Sequence, residues 1–110
     1  MMLRWTRKAL REFDKAFDYL FEANAAAAVS WRSDVAGMMR MLEEHPRMGR
    51  LHRHDLDGDF REVVVGRYRI IYRLSPDLVE IRRVLHVRRD YDPQRIREGV
   101  PMGSPAFVPV

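Results

Sequence analysis

The sequence predicts an α+β fold in which a short N-terminal strand and an antiparallel helical hairpin pack on a small, mostly antiparallel sheet. Two observations carry the prediction. From Arg7 to Glu44 apolar residues recur at three- and four-residue steps, the spacing of amphipathic helices. From Phe60 to Val87 the pattern changes to short strand-like runs separated by turn signals. A chain of 110 residues fits one domain, and at that size folding removes roughly two-thirds of the surface from water.

Met2 to Trp5 reads as the first strand, and Thr6 as the N-cap of the helix that follows. On that helix Leu10, Phe13, Phe17, Leu20 and Phe21 form one apolar stripe, while Arg11, Glu12, Lys15, Asp18 and Glu22 lie on the opposite face. Asn24 interrupts the pattern. It resumes from Ala25 to Glu44 with Ala28, Trp31, Val35, Met38 and Leu42 on one side. So short a break folds the helices back to back, so that both stripes face one sheet. Gly37 inside the second helix costs roughly 1 kcal/mol relative to Ala and reads as a point of close backbone approach. Met38, Met39, Met41 and Met48 read first as core gap-fillers, with an adaptable contact surface as the alternative.

Pro46 closes the second helix, and His45 to Asp59 reads as a loop. It holds His52 and His54 beside Asp55, Asp57 and Asp59, but a spacing of two in a polar loop is not a ligand pattern, so no metal site is expected. Phe60 to Val65 and Tyr68 to Leu74 are the next strands. Gly66-Arg67 joins them, the glycine supplying the positive φ of a two-residue hairpin. Ser75-Pro76-Asp77 makes the next turn, and Leu78 to Val87 completes an antiparallel meander. Tyr68, Ile70 and Tyr72 then point to one side of their strand, toward the helices, and Arg69, Ile71 and Arg73 to the other. Residues 92–110, with Pro101, Pro105 and Pro109, read as an irregular tail outside a domain of residues 1–91.

The chain has no cysteine, which removes disulfides, thiolate catalysis and cysteine-bound zinc. No apolar run is long enough to span a bilayer, and the N-terminus lacks the apolar core of a signal peptide, so a cytoplasmic protein without a membrane partner is expected. The formal net charge is +4. It has an address: between Phe60 and Tyr91 stand Arg61, Arg67, Arg69, Arg73, Arg82, Arg83, Arg88 and Arg89 against Glu62, Asp77, Glu80 and Asp90, and the rest of the chain sums to zero. Arginine forks pair with carboxylate and phosphate, so an anionic partner is expected to meet the sheet. Two plainer roles stand beside that one. Arg69 and Arg73 are placed to pair with Glu62 and Glu80 across neighbouring strands, and His86 at a strand end to satisfy backbone groups.

Several segments taken in order resemble the ParE/RelE superfamily of type II toxins. They are Leu42-Glu43-Glu44-His45-Pro46 with Met48-Gly49-Arg50, then Arg61-Glu62-Val63, Tyr68-Arg69-Ile70-Ile71-Tyr72-Arg73, Val79-Glu80-Ile81, and Val84-Leu85-His86-Val87-Arg88-Arg89-Asp90-Tyr91. The resemblance covers roughly residues 3 to 91 and is nearest the ParE branch. It implies a RelE-like fold and a toxin that poisons DNA gyrase by binding, without chemistry of its own and without a cofactor. It also implies a ParD-like antitoxin, acidic and folding as it wraps the toxin into a hetero-oligomer. The residues expected to meet antitoxin or target are Arg61, Arg69, Arg73, Arg82, Arg88, Arg89 and Tyr91. The alternative branch consists of RelE-like, ribosome-dependent endoribonucleases that cut mRNA. By that resemblance Arg69 would hold the scissile phosphate, and His86 or Tyr91 would move the proton. The sheet lysines of RelE have no lysine counterpart here; Arg50 and Arg53 would substitute as cations, but an arginine that stays protonated cannot act as a base.

Overall fold

Thr6 ends the first strand and starts the first helix. Its hydroxyl accepts the Ala9 amide hydrogen at 3.1 Å, and its own amide donates to the Ile81 carbonyl at 2.9 Å. The computed structural model describes residues 1–51 and 60–88. Within them β1 (Met2–Trp5) leads into α1 (Arg7–Ala23) and α2 (Ala25–Glu44), followed by β2 (Arg50–Leu51), β3 (Phe60–Val65), β4 (Tyr68–Ser75) and β5 (Leu78–His86). The expected class holds: a helical hairpin on a mostly antiparallel sheet.

Asn24 serves both helices. Its amide donates to the Leu20 carbonyl at 2.8 Å, closing α1, while its side-chain oxygen accepts from the Ala27 amide at 3.0 Å, opening α2. One residue with extended backbone therefore reverses the chain, because it fills an orphan acceptor of one helix and an orphan donor of the next.

The five strands lie in the order β1-β5-β4-β3-β2. β1 runs parallel to β5, with Trp5 opposite Ile81, and the remaining pairs are antiparallel. β2 is an addition to the sequence reading, which leaves it inside the loop. Two residues are too short to show periodicity, and only pairing with Arg61 and Glu62 makes them a strand. Gly66, at φ 61°, makes the β3–β4 turn as expected, and a Cβ there would also meet Trp31 Cδ1 at 3.1 Å.

The core lies between helices and sheet. Ala9, Ala16, Trp31, Val35, Met39 and Leu42 meet Val63, Val65, Tyr68, Ile70, Tyr72, Val79, Ile81 and Val84. An aromatic chain threads it, Trp5 to Phe13 at 5.6 Å, Phe13 to Trp31 at 5.1 Å and Trp31 to Tyr68 at 5.1 Å between ring centroids. Phe60, Ile71 and Leu85 form a second buried cluster.

Three expectations need correction. Phe21, assigned to the core stripe, is 48% exposed: at 3.6 residues per turn it stands about 120° around α1 from the buried Ala9, whereas Leu20, about 20° from it, packs on the core. Glu12, assigned to the solvent face, turns inward and takes both Arg83 and the Val84 amide. Gly37 mediates no close approach: a Cβ there would meet only the Arg40 Nη2, at an ordinary 3.7 Å.

Candidate functional site

The arginines of the sheet divide into those that are paired and those that are not. Between Ile71 and Tyr72 the β4–β5 register slips: Ile71 faces Arg83 and Tyr72 faces Ile81, so Arg82 has no opposite residue on β4. This is a bulge, one extra residue in β5. The slip lets both Ile81 and Val84 face the helices. The Arg82 guanidinium is directed onto Glu80 at 3.4 Å, and it also lies 5.3 Å from the centroid of the Phe60 ring. Arg82 is 2% exposed. Arg4 completes the group, 3.2 Å from the other Glu80 oxygen.

A similar group stands on β3, where the buried Glu62 is flanked by Arg50 at 3.3 Å and Arg69 at 3.8 Å. The expected Arg69–Glu62 pairing is therefore present. Arg73 lies opposite Glu80 in register, yet Glu80 takes Arg82 and Arg4 instead. Arg83 binds Glu12 at 2.9 Å. A buried carboxylate flanked by two guanidiniums keeps its desolvated charge compensated, which is the condition for tolerating it inside a small fold.

Arg61 is held differently. It donates through Nη1 to the carbonyls of Arg47 and Gly49, at 3.1 and 3.0 Å. The Tyr72 hydroxyl donates to the Pro46 carbonyl at 2.7 Å and accepts from the Gly49 amide at 2.9 Å. Together they fix the Pro46–Gly49 turn against the sheet. Burial pushes the Tyr72 phenol above the ordinary tyrosine range, against the smaller opposing effects of the Gly49 hydrogen bond and the nearby Arg61.

Of the residues expected to meet a partner, Arg69 and Arg82 are thus half-buried and buried and paired to carboxylates, and Arg61 is tied to backbone. Arg82 corrects the sequence reading outright, since a residue 2% exposed presents no surface to a partner. Arg73 and Arg88 are exposed, as is Arg67 in the hairpin turn, and among the described residues none of the three forms an ion pair. Arg89 and Tyr91 lie outside the described residues, as do Arg53, His52, His54, the neighbouring aspartates and the expected tail 92–110.

His86 is half-buried at the end of β5. Its Nδ1 accepts the Arg88 amide hydrogen at 3.2 Å, and its ring meets Tyr68 edge-on at 5.5 Å. Only Nε2 remains for another partner. Burial raises the Tyr68 phenol, and Tyr19, close by on α1, adds to the shift. Tyr19, 69% exposed, is a surface residue that sequence reasoning missed. The available signal was an aromatic lying two positions off the stripe of Phe17 and Phe21. Among the described residues no group of His, Asp and Glu is placed to hold a metal, and no helix is long and apolar enough to cross a membrane.

The family model described as the ParE toxin of the type II toxin–antitoxin system parDE matches residues 3–91. The chain belongs to the ParE toxin family. A solved structure of the chromosomal ParDE toxin–antitoxin system from P. aeruginosa shares this fold. Its TM-score is 0.64 at 20% identity, covering 78% of this chain and 95% of that one. No curated sequence matches the chain. Within the ParE match, the Pro46–Gly49 segment is the turn fastened by Tyr72 and Arg61, and the Tyr68–Arg73 segment is the strand that fastens it.

Proposed function

We propose that this ParE-family chain arrests growth by binding and poisoning DNA gyrase, and that a ParD-like antitoxin holds it inactive as a hetero-oligomer in the cytoplasm. The observation that carries the reading is the ParE match across residues 3–91. The site chemistry supports binding over catalysis. Arg69, the residue that would grip a scissile phosphate in an endoribonuclease, sits 3.8 Å from the buried Glu62 carboxylate, whose charge opposes an incoming anion. At His86, Nδ1 is occupied by the Arg88 amide.

The test is to induce the chain without antitoxin and to measure gyrase–DNA cleavage complexes beside global mRNA integrity. Cleavage complexes with intact mRNA are expected. Codon-linked mRNA cuts without cleavage complexes would replace this reading with the RelE-like one. Growth that continues while the chain is produced would remove both.

A further inference from the structure

α1 runs alongside β5 to one end of the sheet. α1 starts level with Ile81, through the Thr6 amide bond, and Glu12 reaches the Val84 amide, so helix and strand run side by side in the same direction. The thirteen residues from Thr6 to Tyr19 rise about 20 Å at 1.5 Å each. The six from Ile81 to Val87 span about 20 Å at 3.3 Å each. Tyr19 therefore arrives at the sheet's end, beside Tyr68.

Two basic segments meet at that same end. The Val87 amide donates to the Arg67 carbonyl at 2.8 Å, which holds the β3–β4 turn against the residues following β5. Arg67 and Arg88 are both exposed, and neither pairs with an acid among the described residues. Asp18 and Glu22 on α1 are exposed too, and pair with neither. The exposed Tyr19 thus stands beside Tyr68, whose ring meets His86, within a few residues of the cations of both segments. Tyrosine and arginine around an apolar anchor are the composition of interface hot spots, and unpaired cations select an acidic counterpart.

We propose that Tyr19, Arg67, His86 and Arg88 form one docking surface at the end of the sheet, and that its occupant is an acidic, apolar-anchored segment of the antitoxin. The assignment rests on the toxin–antitoxin reading above. It moves the contact from the arginine-bearing face of the sheet, where Glu62 holds Arg50 and Arg69 and Glu80 holds Arg4 and Arg82, to the sheet's end.

The test uses the full chain and the ParD-like antitoxin encoded with it, titrated calorimetrically at two salt concentrations. Tyr19→Ala, Arg67→Glu and Arg88→Glu are each expected to weaken binding about tenfold or more, while Arg40→Glu on α2 stays within about twofold. Melting temperatures measured alongside verify that the exposed substitutions leave the fold intact. Three variants that all bind within about twofold of the unaltered chain would overturn the proposal while leaving the toxin–antitoxin reading standing. Variants that keep antitoxin affinity but lose growth arrest would assign the surface to the toxic target and overturn it equally. An unaltered chain that binds no antitoxin would overturn both readings together.

Discussion

Two regions of this small protein carry arginine to opposite ends. Along the sheet, Arg82, Arg4, Arg69 and Arg50 surround two buried carboxylates, and Arg61 is tied to the Pro46–Gly49 turn. At the sheet's end and on its surface, Arg67, Arg73 and Arg88 extend into solvent. The same residue type holds the fold in one place and stands open in the other. What separates them is whether a carboxylate or carbonyl lies within reach, and a tally of charges along the chain does not contain that information.

The largest effect is expected from Glu80→Ala. It withdraws the carboxylate shared by Arg82 and Arg4, so urea unfolding is expected to show a loss of about 3 kcal/mol, the range for removing one member of a buried pair. A loss no greater than that of a surface mutant would mean that the group is not structural.

Gly49→Ala comes next, because its Cβ would press on the Tyr72 ring, with Cε1 at 2.6 Å and Cζ at 2.8 Å, as well as on the hydroxyl. About 2 kcal/mol of destabilisation is expected by the same measurement.

Tyr72→Phe keeps the packing and removes the bonds to Pro46 and Gly49, and is expected to cost about 1 to 2 kcal/mol. It also carries a pH signature. The phenols of Tyr72 and Tyr68 are raised in the folded state, so the folded chain holds those protons more tightly than the unfolded one. Their contribution is complete below the ordinary tyrosine value of 10.0 and is lost as pH rises beyond it. Chemical unfolding at stepped alkaline pH should show that loss in the unaltered chain and a shallower one in Tyr72→Phe.

Gly37→Ala should do the reverse of the first three. With only ordinary contact at the new methyl group, it is expected to raise the stability by about 0.5 to 1 kcal/mol in thermal melts. Arg73→Ala closes the series, with a change within about 0.5 kcal/mol, as for an exposed side chain away from any network. A larger loss there would show that the exposed set also braces the fold.

Much of the architecture was legible because its signals are local. Thr6 and Asn24 cap as their types suggest, the stripes of α1 and α2 follow helical spacing, and Gly66 makes the turn that needs a positive φ. The site was less legible. The bulge at Arg82 shifts the alternation of β5 midway, and period-two reasoning carries no sign of it. Glu12 leaves its polar face for a strand 71 residues away in sequence, which only packing can arrange. Phe21 follows Phe17 at a four-residue step yet is exposed, because each such step drifts about 40° around the helix and carries it off the buried line of Ala9 and Ala16.

The sequence by itself determined the element order, the α+β class, the family resemblance and the total charge, since each is written in residue types and short-range periods. The tertiary structure alone decided which arginines remain open, because pairing depends on the register between strands and on how far a helix runs beside them. Register placed Glu80 between Arg4 and Arg82, and the matched lengths of α1 and β5 brought Tyr19 to the basic end of the sheet.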